Sequence, residues 1–82
     1  MKKKFVEVIA HYNLAGEITP LSIIWEDGRK FAIDRVTNVC RAASLKSGGQ
    51  GWRFSCRIRN REFHLFLEEE RFWFLEDRLG KN

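Results

Sequence analysis

The chain has one proline, two cysteines and one methionine. It has no apolar run near the ~20 residues that a membrane-spanning helix needs. No stretch of ten or more residues carries a 3.6-residue hydrophobic period, which argues against helical architectures. Two cysteines do not make a disulfide scaffold, so Cys40 and Cys56 are expected to be small buried thiols in a reducing compartment. If Ala42 faced Phe54 across a strand pair, Cys40 would lie opposite Cys56 and a cross-strand disulfide would become conceivable. His11, His64, Cys40 and Cys56 are the only soft-metal candidates and none sits at ligand spacing. The loop Leu45 to Gly51 is glycine-rich but lacks Walker A spacing and opens no helix. The chain is therefore expected to be non-enzymatic, with no catalytic residues, metal or cofactor.

What is present alternates with period two. Eleven aromatics and 44% hydrophobic content argue against disorder, and 82 residues make one domain. Residues 1–4 read as a basic N-terminal tail and 78–82 as a frayed C-terminal one. Phe5 to Tyr12 is a strand with Val6, Val8, Ala10 and Tyr12 on one face. Leu21 to Trp25 is a second, with Leu21, Ile23 and Trp25 inward. Glu26-Asp27-Gly28 fits a three-residue hairpin loop with Gly28 in the left-handed position, which pairs Ile23 with Phe31. Arg29 to Asp34 is the third strand, Asp34 to Asn38 a bend, and Val39 to Ser44 the fourth strand. The last, Phe72 to Glu76, is ambiguous: either Phe72 and Phe74 or Trp73 and Leu75 go to the core, and the other pair joins Phe66 outside. The fold class is all-β, with six or seven short antiparallel strands in meander order forming a roll or small barrel. Closure of the last strand onto the first, or a dimer, would cover the leftover apolar face.

Trp52 to Glu68 is the organising hairpin. Trp52, Phe54, Cys56 and Ile58 share a face, as do Phe63, Leu65 and Leu67. A turn at Asn60-Arg61 would set Arg59 against Glu62, Arg57 against His64 and Arg53 against Glu68. Charge is unevenly distributed. Arg29 to Arg61 holds nine Lys or Arg and one acid, whereas Glu62 to Asp77 holds six acids and one base. The blocks either neutralise each other across strands or leave Arg41, Lys46, Arg53 and Arg57 as a basic patch. Lys2, Lys3 and Lys4 supply three of the net +4 charges, so the body is near neutral.

The series IIWEDGRKFAID, RAASLKSGGQGWRFSCRI and LFLEEERFWFLE resembles a family of small, functionally uncharacterised bacterial proteins over about Ile18 to Glu76. The resemblance implies a stand-alone single-domain protein and no site residues. From the residues themselves, the expected function is protein–protein association, with self or a partner. Phe66, Trp73 and Phe74 are the candidate association surface. The alternative is nucleic-acid or anionic-ligand binding through Arg41, Lys46, Arg53, Arg57 and His64 with the glycine loop 45–51. The opening Met1-Lys2-Lys3-Lys4 is followed by Glu7 and His11 where an export signal would be apolar. A cytoplasmic location is expected.

Overall fold

A computed structural model describes residues 2–43 and 50–77. Its seven strands are β1 (Lys2–Tyr12), β2 (Ile18–Ile24), β3 (Lys30–Ala32), β4 (Arg35–Ala43), β5 (Gln50–Ile58), β6 (Arg61–Glu68) and β7 (Phe72–Asp77). All pairings are antiparallel. The sheet order is β3-β2-β1-β7-β6-β5-β4. Two meanders are thus joined where β7 pairs with β1. Lys2 to Lys4 belong to β1, because β7 supplies hydrogen-bond partners that a solvated tail would lack.

The first two hairpins close with the same loop. Gly16 N donates to Asn13 O and Asn13 N to Glu17 O; Gly28 N donates to Trp25 O and Trp25 N to Arg29 O. Gly16 and Gly28 take φ of 84° and 91°, where a side chain would be strained. Carboxamide and carboxylate side chains hold the two loops. Asn13 Oδ1 accepts from Ala15 N and Glu17 N at 2.9 Å each. Asp27 Oδ1 accepts from Arg29 N at 3.0 Å, which holds the Asp27 carboxyl below its usual range. The expected pairing of Ile23 with Phe31 is present.

The central hairpin turns at Arg59-Asn60, one residue earlier than the asparagine rule suggests. Both residues take positive φ, 50° and 70°. Asp34 Oδ2 accepts the Arg59 amide at 2.8 Å, a long-range support that local turn chemistry does not reveal. The pairs become Arg57 with Glu62, Ser55 with His64, Phe54 with Leu65 and Arg53 with Phe66. The expected Arg53–Glu68, Arg57–His64 and Arg59–Glu62 oppositions are therefore replaced. A register shift of two residues leaves every side chain on its original face, so alternation alone cannot distinguish the two pairings.

The curl of the sheet follows from chain length. β3 and β4 are the two edge strands, yet only Ile33 and Asp34 separate them. In a flat seven-strand sheet those edges would stand about 29 Å apart at ~4.8 Å per strand. Three Cα steps reach only ~11 Å. The sheet must curl until its edges meet, and the two joining residues divide their bonds accordingly. Ile33 N donates to Leu21 O of β2, and Asp34 N donates to Arg57 O of β5. The bend expected over Asp34 to Asn38 is confined to Ile33-Asp34, and β4 starts at Arg35. Two bulges tune the curl. One, in β4, leaves Thr37 as an extra residue between Val36 and Asn38. The other, in β2, inserts Leu21 opposite the Ile9–Ala10 step and turns that side chain out to solvent, correcting its inward assignment. Pro20 sits beside that bulge, where a missing N–H is tolerated.

The concave side holds the core: Ile23, Phe54, Cys56, Leu65, Leu67 and Trp73, with Val6, Val8, Trp52, Phe63 and Leu75 packed around them. Trp73 and Leu75 are the inward pair of β7, and Trp73 packs on Phe54 at 5.4 Å between ring centroids. Cys40 pairs with Arg53 and Ala42 with Gly51, so Cys40 and Cys56 lie on opposite faces and both are free thiols. Cys56 Sγ donates to Phe54 O at 3.6 Å. Desolvation of that buried sulfur pushes its pKa up from near 9 to about 11.

Two tests follow from this packing. A Cβ at Gly51 would lie 2.6 Å from the backbone oxygen of Leu67, an atom that cannot swing aside. Gly51→Ala is therefore expected to cost about 2 kcal/mol in urea-unfolding stability; an unchanged midpoint would refute the close approach. For Cys56, the unfolded chain ionises the thiol at lower pH than the folded one does. Its contribution to stability is intact below the ordinary thiol pKa and is lost as pH rises through about 11. Urea midpoints between about pH 9 and 11 should fall more steeply for the wild type than for Cys56→Ala.

Candidate functional site

Curling buries one face of the sheet and leaves the other convex and open to solvent. On that outer face, antiparallel register aligns side chains from neighbouring strands into rows. Phe5 of β1 faces Phe74 of β7, Phe74 faces Phe66 of β6, and Phe66 faces Arg53 of β5. The rings touch in sequence. Phe66 stacks on Phe74 at 5.0 Å with 6° between planes, and Phe5 meets Phe74 edge-on at 5.6 Å. Phe72 and His64 extend the chain of rings at either end. Such pairs contribute about 0.5–1.5 kcal/mol each beyond area burial. Phe5 and Phe72 nevertheless remain 55% and 44% exposed.

Phe74 lies on this outer face and is still only 5% exposed. Lys3 explains the difference. Its Nζ passes over the Phe74 ring at 4.9 Å from the centroid and reaches Glu68 Oε1 at 2.6 Å. Arg71 lies over Phe72 in the same way at 4.9 Å. Lysine and arginine stems cover apolar surface while their charges stay at its rim.

Charged side chains stand beside the aromatic strip and along its own strands. Arg53, Arg57 and Arg35 project from the outer side of β5 and β4, with Arg35 and Arg57 directly opposed. Glu7, Glu62, Glu68 and Glu76 belong to β1, β6 and β7. Arg53 is half-buried between Phe66 and Cys40, and its Nε is buried without a hydrogen-bond partner. An orphaned charged donor of this kind is unfavourable until something accepts from it. His64 lies with Glu62 and Glu76 around an open depression of about 570 Å³.

The predicted site residues divide between faces. Arg53, Arg57, His64, Phe66 and Phe74 share the outer face. Trp73 does not: it is a core residue, because β7 turns its even-numbered side chains outward. Arg41 pairs with Trp52 and so lies on the concave side, correcting its outward assignment. Its guanidinium stacks over the Trp52 ring at 4.9 Å. Lys46, and most of the glycine loop 45–51, lie outside the described residues. Phe5, Phe72 and Glu7 were not singled out from the sequence. Phe5 sits in the polar phase of β1 beside Glu7 and His11. That misplacement was the available signal, and it becomes legible only once β7 is known to lie alongside.

A second concavity opens where the sheet fails to close. β3 covers β2 only from Ser22 to Ile24, and no described strand pairs with the outer edge of β4. The seam between them forms a groove of about 480 Å³. Trp52 and Phe54 line it together with Ile18 and Val39, and Glu17 and Glu70 complete its wall. Among the described residues no group of three or more His, Cys, Asp or Glu side chains comes together to hold a metal ion. No helix among them is long and apolar enough to cross a membrane. Comparison with protein-family profiles, with curated proteins and with solved structures gave no match.

Proposed function

We propose that the chain is a small binding module that acts by protein–protein association through its outer aromatic face. The observation that carries this reading is the position of Phe5 and Phe72. Both are about half exposed on a convex sheet surface, continuous with Phe66 and Phe74. The core does not need these rings, since Trp73 and Leu75 already fill the inner side of β7. A contiguous apolar patch with a charged rim is the usual anatomy of a protein docking surface. A cytoplasmic bacterial protein without catalysis is part of the same reading. It rests on the family resemblance, on the two free thiols and on the absence of catalytic spacing in the sequence.

A second reading, nucleic-acid or anion binding, has one observation in its favour. Arg35 and Arg57 are opposed as like charges, with Arg53 four residues away on the same face of β5 and Phe66 beside it. A basic strip next to an accessible ring can follow phosphates and stack a base. Against it, Glu62 directly faces Arg57 on the same surface.

Retention experiments separate the two. Immobilised wild type and the double variant Phe5→Ser, Phe72→Ser are each exposed to extract of cells that make the protein, with and without nuclease treatment. The association reading expects a protein, another species or further copies of this chain, to be retained by the wild type and lost with the variant. Equal retention on both columns contradicts it, and retention that vanishes with nuclease treatment favours the nucleic-acid reading.

A further inference from the structure

We infer that the seam between β2 and β4 binds an extended peptide segment of another protein, which enters as an added strand and presents an apolar and a basic side chain to the groove beneath. The inference goes beyond the association reading, because it concerns the concave side and uses none of the outer rings. The first observation behind it is backbone. β4 ends the sheet and pairs only with β5, and among the described residues β3 leaves β2 uncovered from Ile18 to Pro20. The seam has its apex at Ile33-Asp34, whose amides bond to Leu21 O on one side and Arg57 O on the other. At its far end Asn13 N donates to Glu17 O, which makes those two a bonded pair across the β1–β2 hairpin. Bonded and non-bonded pairs alternate along an antiparallel ladder. Ile18, opposite Tyr12, therefore turns its N–H and C=O away from β1 and into the seam. Open strand edges recruit an extended chain through main-chain hydrogen bonds.

The second observation is an uncovered inner surface. Val39 pairs with Phe54 and so faces the concave side, yet it is 46% exposed. A strand laid between β2 and β4 would cover it. Phe54 and Trp52 continue the groove floor two residues apart on β5. That is the ~7 Å repeat of successive same-face side chains on any strand laid over them.

The third observation is charge. Glu17 and Glu70 stand at the mouth of the groove on two separate hairpin turns, β1–β2 and β6–β7. Neither makes an ion pair with another described residue, and Glu17 accepts only from the neutral Asn13 amide at 2.8 Å. The turn that carries Glu70 holds Glu69 and Glu70 at φ of 55° and 60°, a conformation that asparagine and glycine take at lower cost. No lysine or arginine is among the described lining residues. The cations beside the groove are already engaged. Arg41 lies over Trp52 and has a further partner, and Arg71 lies over Phe72 on the outer face. The matching segment carries an apolar side chain over Val39 and Phe54 and, two residues towards the mouth, a lysine or arginine. The stem of that residue runs along Trp52 and its charge meets Glu17 and Glu70. A second copy cannot supply the strand. Its own open edges, β3 and β4, each bring the rest of a curled sheet, and the seam admits one strand.

The test is selection of phage-displayed random nonapeptides on the immobilised protein. Enriched sequences are expected to share a lysine or arginine with an apolar residue two positions away. The synthetic peptide should shift the amide resonances of Ile18 and Val39 and the Trp52 indole, and leave Phe5 and Phe72 unmoved. Methylation of its alternate backbone nitrogens should abolish binding. The variant Glu17→Lys, Glu70→Lys, changed only at exposed turn positions and checked for its fold by circular dichroism, should bind about tenfold or more weakly. Phe5→Ser, Phe72→Ser should bind it as the wild type does. No enrichment, undiminished binding to the lysine variant, or binding that survives methylation each overturns the inference. Shifts confined to Phe5 and Phe72 overturn it too, and leave the association reading standing. Peptide binding at the seam together with equal retention of extract protein by the wild type and by Phe5→Ser, Phe72→Ser defeats the association reading alone.

Discussion

The pairing of β7 between β1 and β6 is the constraint on which the rest depends. Without it the chain would be two separate meanders, each with a long unpaired edge. With it, one sheet runs from β3 to β4, and the two residues Ile33 and Asp34 force that sheet to curl. Insertion at the centre also places both faces of β7 under demand. Trp73 and Leu75 complete the concave core, and Phe72 and Phe74 are delivered to the middle of the convex face.

The outer strip is therefore a consequence of topology as much as of composition. Phe5 and Phe66 come from strands on either side of β7, and neither would meet the other without Phe74 between them. The same insertion recruits Lys3, which crosses Phe74 to reach Glu68. A segment that reads as a solvated basic tail becomes the cover of an aromatic ring. Arg71 covers Phe72, and Arg41 covers Trp52 on the opposite face. Much of the basic content is thus spent on aromatic surface, which weakens the argument that a basic composition marks a nucleic-acid face. Arg53 stands apart, because its Nε is buried with nothing to accept from it.

Period-two alternation made the fold class and the inward set of β5 and β6 legible, because a strand that buries one face must alternate. The Glu26-Asp27-Gly28 loop was legible because only a left-handed glycine fits its third position. Alternation fixes register only modulo two, so it could not exclude a shift of two residues. The shift at Arg59-Asn60 preserved every face while exchanging every cross-strand neighbour, and the candidate charge pairs changed with it. The support for that turn, Asp34, lies 25 residues away in sequence. The phase of β7 was undecided because aromatic residues occupy both of its faces, and only its neighbours on each side settle which pair is core. Leu21 was misplaced because it is itself the extra residue of the β2 bulge. Arg41 was misplaced because Cys40 pairs with Arg53, which turns Cys40 outward and Arg41 to the concave side.

The central position of β7 is tested most directly by residue-resolved amide hydrogen exchange. Strands hydrogen-bonded on both sides exchange through sub-global or global opening, whereas edge strands exchange through local fraying. The amides of Trp73, Phe74 and Leu75 should be protected to the level of Phe54 and Leu65 in β5 and β6, and well above those of the β3 edge. Exchange of the β7 amides at the rate of the β3 edge would contradict the central position of β7. It would also remove the basis for a continuous aromatic face.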